Sequence, residues 1–565
     1  MSKDDKATFS VGVDYGTNSV RALVVDVSNG RELAAEVFPY PSGRNGILLD
    51  AKAPNQARQN PADYVHGFLT AVSGAVRRAR RARGFDASRV VGIGIDTTGS
   101  TPLPVDRLGR PLAFDKRFRR HPAAQAWLWK DHTSHAEAEE ITDLARRRGE
   151  PYLAKCGGTY SSEWFWSKLL HCRRTSPDVF RAAHSWVECC DFVPAYVTDR
   201  LAPATMSRSV CAAGHKAMYH ESWGGLPSKA FLGRLSPDLA SLRDRLYDQA
   251  VPSDRIAGRL AVAVAAKVGL PAGIPVAVGG FDAHFGAVGS GIRPGTLVKI
   301  LGTSSCDMMV HAGESALADI PGICGIVPDS ILPGMTGLEA GQSAVGDIFH
   351  WFVTQFVAAS TAKGDPHKNL SREAAKLMPG ESGLMALDWN NGNRTILVDS
   401  QLTGLLLGQT LHTTAAEVYR ALIEATAFGA LTIIDRFEEY GVHVREVVTC
   451  GGIAEKNPLL MQLYADVLNR PIKSSRSGQT CALGAAMFGA VVGGAHKTMA
   501  AAQRRMTGVK PTVYRPRAAA VRVYADLYRI YRRLHDSFGT AGAPVRLDRV
   551  MKELIAIRDS RRQGR

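Results

Sequence analysis

The feature that most constrains this chain is an apolar strand that breaks into a turn of aspartate, glycine and hydroxyl residues. Its first example covers residues 9–26, where Asp14, Gly16 and Thr17 separate two runs rich in valine. Glycine tolerates a tight turn, and small side chains leave backbone N–H groups accessible. The pattern predicts a strand–turn–strand hairpin whose turn can approach an anion.

The same pattern returns several times along the chain. The later examples are residues 90–96 ending at Asp96, residues 275–282 ending at Asp282, residues 297–310 around Gly302-Thr303-Ser304, and residues 447–452 ending at Gly451-Gly452. Apolar residues at helical spacing predict helices over residues 61–83 and 415–437. Alternating strands and helices favour an α/β protein of two similar halves, joined between about residues 251 and 275.

Length and charge limit the remaining classes. A chain of 565 residues exceeds one ordinary core, so two large domains are expected. The net charge of +16 is concentrated in arginine clusters at residues 77–83, 146–148 and 558–565, without a nucleic-acid recognition motif. We interpret the first cluster as the solvated face of a helix, and we expect no nucleic-acid partner.

Cysteine usage and hydropathy bear on the compartment. The nine cysteines include no CxxC pair, which favours reduced thiols over a disulfide framework or a zinc site. No apolar run reaches ~18 residues, and the first residues lack a secretory signal. These patterns predict a cytoplasmic protein with no membrane partner.

The turns suggest a chemistry. A carboxylate such as Asp14 beside a phosphate needs a cation between them, so it implies Mg²⁺. A hydroxyl nucleophile needs a general base, for which Asp282 is the candidate and Asp96 the runner-up. The alternative for Asp282 is a helix N-cap. The sequence has no GxxxxGK[ST] motif and no GxGxxG after a strand, which argues against P-loop and dinucleotide folds.

These residues resemble the FGGY carbohydrate kinases of the actin/hexokinase ATPase superfamily, from about residue 11 to residue 490. The tryptophan-rich segments are the most specific part of the resemblance. The further matching segments are residues 19–22, 99–102, 128–133, 160–166, 213–216, 220–227 and 337–343.

The resemblance implies a fold of two actin-like, ribonuclease H-like ATPase domains flanking a deep cleft. Residues 8–265 would form the sugar-binding side with the first phosphate loop. Residues 266–540 would form the adenosine side, with the second phosphate loop and the catalytic base. Residues 541–565 would form a basic C-terminal tail.

The resemblance also implies a role for individual residues, with Asp282 as the catalytic base and Asp14 as the residue that organises Mg²⁺. The implied ATP-binding residues are Asp14, Gly16, Thr17, Asn18, Gly302, Thr303, Ser304, Gly451, Gly452 and Asn457. The implied sugar-binding residues are Thr98, Gly99, Ser100, Lys216, Asp282 and Glu339.

Tryptophans leave two interpretations, because an indole can stack on a sugar or pack in a core. Packing is favoured for Trp164 and Trp166, while Trp129 stays open. Related kinases often carry an arginine where this chain has His132. That departure leaves the role of the Trp129 segment open as well.

The implied activity is ATP-dependent phosphorylation of L-ribulose to L-ribulose 5-phosphate, a step in L-arabinose degradation. Another pentulose or pentitol, such as D-ribulose or L-xylulose, is an alternative acceptor. A chaperone-type ATPase of the same superfamily is the alternative from another class. A homodimer is expected only as a habit of the family.

Overall fold

The computed structural model of this chain describes residues 7–313, 317–357, 364–540, 542 and 550–563. The strands are β1 (Phe9–Tyr15), β2 (Ser19–Asp26), β3 (Glu32–Pro39), β4 (Leu48–Asp50), β5 (Ala53–Gln59), β6 (Val90–Thr97), β7 (Pro102–Val105), β8 (Ala126–Trp127), β9 (Ser185–Glu188), β10 (Ile256–Arg259), β11 (Pro275–Ala277), β12 (Gly280–Phe281), β13 (Thr296–Leu301), β14 (Ser305–His311), β15 (Gly325–Pro328), β16 (Thr336–Ala340), β17 (Met385–Leu387), β18 (Leu405–Leu407), β19 (Glu446–Cys450), β20 (Ile472–Ser475) and β21 (Val509–Tyr514).

The helices connect and cover these strands. They are α1 (Pro61–Ala79), α2 (His135–Arg148), α3 (Phe165–Thr175), α4 (Pro177–Ala182), α5 (Cys189–Val197), α6 (Val210–Lys216), α7 (Lys229–Leu235), α8 (Pro237–Arg243), α9 (Val262–Val268), α10 (Asp282–Gly289), α11 (Gly346–Phe356), α12 (Pro366–Ala374), α13 (Ala415–Glu439), α14 (Gly452–Lys456), α15 (Pro458–Leu468), α16 (Thr480–Val492), α17 (Met499–Met506), α18 (Ala518–Gly539) and α19 (Val550–Gln563).

Two large sheets share one central topology. The first runs β10-β11-β6-β1-β2-β3, with β12 also paired to β6, and the second runs β15-β16-β14-β13-β19-β20-β21. In the first sheet, β1 is antiparallel to β2 and parallel to β6. In the second, β13 is antiparallel to β14 and parallel to β19. The predicted α/β class with two similar halves is therefore confirmed.

Helices α10 and α16 lie between the two sheets. One buried cluster combines Leu23 of the first sheet and Val298 of the second with Phe285 of α10 and Ala485 of α16. A shared apolar core of this kind joins the halves through their inner faces.

The close approach of α16 explains why small residues alternate with valine in β1 and β6. A Cβ on Gly12 would lie 1.8 Å from the carbonyl oxygen of Ala482, and one on Gly94 would lie 1.9 Å from that of Ala485. Glycine weakens a strand, yet here it lets the helix backbone lie directly on the sheet.

The sheets do not divide at the predicted domain boundary, residues 265 and 266. Strands β11 and β12 both follow that position, and Val276 of β11 pairs with Ile93 of β6. Helix α16, much later in the chain, also packs on the first sheet. Strands β11 and β12 pair parallel with β6, and a parallel partner can be reached only through a crossover connection. The first sheet therefore includes strands that follow residue 266. The domain bounds themselves stay a prediction.

The predicted basic tail at residues 541–565 lies partly outside the described residues. Within the described part, residues 550–563 form α19, in which Leu554 is buried in the same core as Leu527 of α18. Arg533 of α18 also pairs with Glu553. The described part of this segment is a helix packed through Leu554 on the C-terminal core, and the basic tail as a separate unit stays a prediction.

The arginines at residues 77–83, in the last turn of α1 and just after it, are exposed, as expected of a solvated helix face. The nine cysteines are unpaired thiols, buried or half-buried. Within the residues that the structure describes, no helix combines the length and apolar character needed to cross a bilayer.

Candidate active site

Three aspartates converge where strands of the first sheet end. The β1–β6 register places Asp14 opposite Asp96, and the β12–β6 register places Gly280 opposite Asp96, two residues before Asp282. Asp96 is fully buried. We call Asp14, Asp96 and Asp282 the acidic cluster. Parallel pairing explains it, since the carboxyl ends of neighbouring parallel strands meet at one edge.

Burial and mutual repulsion dominate the electrostatics of the acidic cluster. Burial, followed by the charges of Asp14 and Asp282, raises the pKa of Asp96 well above its usual range. The same causes raise the pKa of Asp282 to about 7, with Asp14 as the largest charge contribution. Burial also raises the pKa of Asp14, against the opposing effect of Arg21, whose Nη1 lies 3.4 Å from Oδ2.

Outside the acidic cluster, neither carboxyl oxygen of Asp96 has a hydrogen-bond partner among the described residues. Buried oxygens of this kind require a proton or a cation for compensation. Oxygen donors are also the ligands that Mg²⁺ prefers. The acidic cluster therefore has the donor chemistry of a magnesium site.

Replacing Asp96 with asparagine is expected to raise the melting temperature at pH 7 in the absence of divalent cations. Because the folded-state pKa is raised, folding favours the protonated carboxyl, and stability falls as pH rises above the unfolded pKa of about 3.9. The gain should shrink towards pH 4, where Asp96 of the folded wild type is protonated and therefore as neutral as asparagine.

Thermal melts of wild type and variant at pH 4 and pH 7 would measure this gain, with the exposed Asp143→Asn as control. Added Mg²⁺ should stabilise the wild type more than Asp96→Asn. A variant that melts below the wild type at both pH values would contradict the electrostatic account.

The first turn is held by its neighbours. The Gly16 N–H donates to the Ser19 carbonyl at 3.0 Å. The Trp129 indole N–H donates to the Thr17 hydroxyl at 3.1 Å, and the Asn18 amide donates to the Asn45 carbonyl at 2.6 Å. Trp129 thus fixes the turn that the sequence assigned to phosphate binding.

The second turn, at Gly302-Thr303-Ser304, is anchored on the start of α11. The Gly302 N–H donates to the Ser304 carbonyl at 3.0 Å, while the Thr303 carbonyl accepts from Val345 at 2.8 Å and Asp347 at 3.1 Å. Thr303 is exposed. The contact of this turn with a phosphate stays a prediction.

Gly451 and Gly452 adjoin the second turn and are exposed. Gly451 has φ of 99°, and a Cβ there would lie 2.4 Å from the Leu301 carbonyl oxygen. Asn457 accepts from the Leu460 N–H at 3.1 Å and so caps α15. Its side chain also donates to the Ser371 hydroxyl at 3.3 Å, and its contact with a nucleotide stays a prediction.

A buried ion pair joins the two halves of the chain. The Lys216 ammonium, at the end of α6, lies 3.0 and 3.1 Å from the two carboxylate oxygens of Glu339 on β16. Burial opposes both charges, but the pairing holds the pKa of Glu339 well below its usual range and raises that of Lys216. Two of the predicted sugar-binding residues, Lys216 and Glu339, therefore lie together as a charged pair.

Two histidines accompany this pair, and sequence reasoning gave them no role. His215 Nδ1 lies 3.3 Å from Glu339 Oε2, and His284 Nε2 lies 3.7 Å from the same oxygen. The available signal was adjacency, since His215 directly precedes Lys216 and His284 follows Asp282 by two residues.

The predicted sugar-lining segment, Thr98-Gly99-Ser100, is fixed from behind by Glu188 and Lys168. The Ser100 hydroxyl donates to Glu188 at 3.0 Å, and the Thr101 N–H donates to it at 2.7 Å. The Lys168 ammonium donates to the Ser100 and Leu128 carbonyls, both at 2.9 Å. Sequence reasoning missed this support because Lys168 and Glu188 lie far along the chain from residues 98–101 and from Leu128.

Trp164 and Trp166 are both buried, as the packing interpretation expects. Trp166 is fully buried and donates to the Ala217 carbonyl at 2.8 Å. Trp164 is also buried, with its ring centroid 5.3 Å from the Lys216 ammonium, within cation–π range. His132 Nδ1 lies 3.3 Å from the Ser162 hydroxyl.

Known proteins are similar to this chain over nearly its whole length. Residues 9–289 match the FGGY family of carbohydrate kinases, N-terminal domain, and residues 297–492 match its C-terminal domain. The chain is 42% identical to a ribulokinase of Halalkalibacterium halodurans over 570 residues, covering 97% of each chain. It is 40% identical to a ribulokinase of Mycolicibacterium smegmatis over 570 residues, covering 98% of each.

Solved structures with low sequence identity share the fold. The xylulose kinase of Rhodospirillum rubrum superimposes with a TM-score of 0.76 at 22% identity, covering 94% of this chain and 98% of that one. At this identity, the likeness extends to the two-domain fold alone.

Proposed function

This chain belongs to the FGGY family of carbohydrate kinases, and we propose that it transfers the γ-phosphoryl group of ATP to L-ribulose. The product is L-ribulose 5-phosphate, which places the reaction in L-arabinose degradation. The relatives over nearly the full chain that carry the name ribulokinase support the acceptor. The preference for L-ribulose over other pentuloses and pentitols is part of this proposal.

One observation carries the mechanism: Asp282 belongs to the acidic cluster, and the charge of Glu339, the partner of Lys216, also acts on it. The negative charges of Asp14 and Glu339 both contribute to its raised pKa of about 7. A general base works best when its pKa lies near the working pH. Asp282 is also the first residue of α10, where its Oδ1 accepts from the Ala283 N–H at 2.7 Å, which orients the carboxylate.

In the proposed step, the C5 hydroxyl of the sugar forms a bond to the γ-phosphorus while the bond to ADP breaks. Asp282 takes the hydroxyl proton. Lys216 and Glu339 offer a charged donor and a charged acceptor to the other hydroxyls, so each hydroxyl removed from water gains a partner. The turns at Thr17 and Thr303 present hydroxyl and N–H donors to the phosphates.

Asp14 and Asp96 would hold Mg²⁺, since both are carboxylates and the oxygens of Asp96 lack partners outside the acidic cluster among the described residues. When bound, Mg²⁺ would neutralise charge on the transferring phosphoryl group. Arg21 remains beside Asp14, so one positive charge is already in place there.

A panel of acceptors assayed with MgATP tests the proposal. The panel contains L-ribulose, D-ribulose, L-xylulose and the corresponding pentitols, with ADP release as the readout. We expect the highest kcat/KM for L-ribulose. A higher value for another pentulose or pentitol would replace the acceptor, and ADP release independent of any sugar would favour a chaperone-type ATPase.

The cytoplasm stays the proposed location, because unpaired thiols suit a reducing compartment. A homodimer likewise remains a prediction.

A further inference from the structure

The histidine cluster, defined as His215, His284 and Glu339, has the composition and spacing of a metal site. One ligand atom from each residue lies within 4.8 Å of the others, and all three residues are buried. The residues come from α6, α10 and β16, so the chain brings them together only on folding. We propose that this cluster binds a divalent transition-metal ion of the zinc class, and that the bound ion excludes the sugar.

The first argument is that polar atoms of the cluster are unsatisfied. Neither ring nitrogen of His284 has a hydrogen-bond partner within the described part of the chain, and Nδ1 of His215 has none either. The Nε2 of His215 lies 3.0 Å from the Ser330 hydroxyl, which fixes that ring with Nδ1 towards Glu339. Buried nitrogens without partners cost stability, and a metal ion would satisfy them.

The second argument is distance. Zinc takes imidazole nitrogen and carboxylate oxygen at about 2.0–2.2 Å, and a tetrahedron with such bonds has edges of about 3.3–3.5 Å. The two histidines lie 3.3 and 3.7 Å from Glu339 Oε2. The three ligand atoms all lie within 4.8 Å of one another, so they can share one ion after drawing together, with a fourth position left for water.

The third argument is protonation, which supports the geometry. Burial lowers the pKa of His284 to about 4 and that of His215 well below its usual range, so both rings are neutral at pH 7. A neutral imidazole offers a lone pair to a metal. Two imidazoles with one carboxylate suit zinc, whereas Mg²⁺ requires oxygen ligands.

Lys216 limits how the ion binds. Its ammonium lies 3.0 Å from Oε1 and 3.1 Å from Oε2 of Glu339, so a metal ion can take Oε2 only if the lysine shifts to Oε1 alone. The proposed function assigns Glu339 to a sugar hydroxyl, and on that proposed function rests the claim of exclusion. A bound ion occupies the acceptor oxygen that the sugar needs.

Equilibrium dialysis of the purified full chain against Zn²⁺, with excess Mg²⁺ and no nucleotide, tests the site. We expect one tightly bound zinc ion per chain. His284→Asn and His215→Asn should each weaken that binding by at least roughly 10- to 100-fold, the loss that changes in the second shell already cause.

The matched control is His171→Asn. His171 also pairs with a carboxylate, Glu137, at 3.0 Å, but lies outside the cluster. The His171→Asn variant should bind zinc with the affinity of the wild type. Equal zinc affinity in wild type and His284→Asn would overturn the proposal.

Co²⁺ gives a readout that needs no variant. Binding to the wild-type cluster should produce the visible absorption bands of a tetrahedral site, and their absence would also overturn the proposal. L-ribulose should weaken zinc binding in the dialysis. If zinc binds but L-ribulose does not compete, the metal site stands and the proposed sugar contact of Glu339 fails.

Discussion

The Asp282→Asn variant is expected to lose about 10²- to 10⁴-fold in kcat, the range that a positioned general base contributes. MgATP affinity should stay nearly unchanged, because the proposed phosphate contacts come from the two turns. Asparagine keeps the size of the side chain but cannot accept the hydroxyl proton. Steady-state kinetics and nucleotide binding by calorimetry would separate the two effects.

The pH profile gives this prediction a second readout. Asp282 must be ionised to act as a base, so kcat/KM for the sugar should fall as pH drops through about 7. The variant should lack this inflection. Asp435→Asn serves as control, because burial also raises the pKa of Asp435. Its carboxylate lies outside the site and accepts a hydrogen bond from the Tyr528 hydroxyl. Near-normal turnover in Asp282→Asn would remove Asp282 from the role of base.

The second large effect is expected from Lys216→Met. A hydrogen bond to a charged group contributes about 1.5–3 kcal/mol, so the sugar KM should rise roughly 10- to 150-fold. The change also leaves Glu339 as a buried charge without its ammonium partner. Breaking a buried pair in this way costs about 3–5 kcal/mol of stability.

A double variant distinguishes sugar binding from folding. Lys216→Met with Glu339→Gln removes the unpaired charge, so it should regain stability while the sugar KM stays high. Arg420→Met breaks another buried pair, Arg420–Glu424, and should lower the melting temperature without raising the sugar KM. An unchanged sugar KM in a folded Lys216→Met protein would refute the contact.

The sequence was informative where the chemistry is local. The turns at Gly16 and Gly302 follow from glycine and hydroxyl residues between apolar runs, and the structure forms hairpins at both. Asp96 was visible as a strand-end carboxylate, although the sequence alone ranked it behind Asp282. Only the pairing of β6 with β1 and β12 shows that Asp96 is buried beside two other carboxylates, without a hydrogen-bond partner outside the acidic cluster among the described residues.

Other parts of the site depend on contacts between distant segments. Lys168 supports Ser100 and Leu128 from positions 68 and 40 residues away, and nothing in the local sequence indicates this. Packing also decides the composition of the first sheet, since β11 and β12 both pair with β6, which precedes them by some 180 residues. No local pattern shows on which sheet a late strand will pair.

The sequence by itself determined the strand–turn–strand units, because glycine, hydroxyl and β-branched residues act through their immediate neighbours. It also supplied the family, through segments specific enough to be recognised. Only the tertiary structure decided which charges meet, because electrostatics and desolvation depend on distance and burial. The meeting of Lys216 with Glu339, and of both with two neutral histidines, results from the packing of α6, α10 and β16.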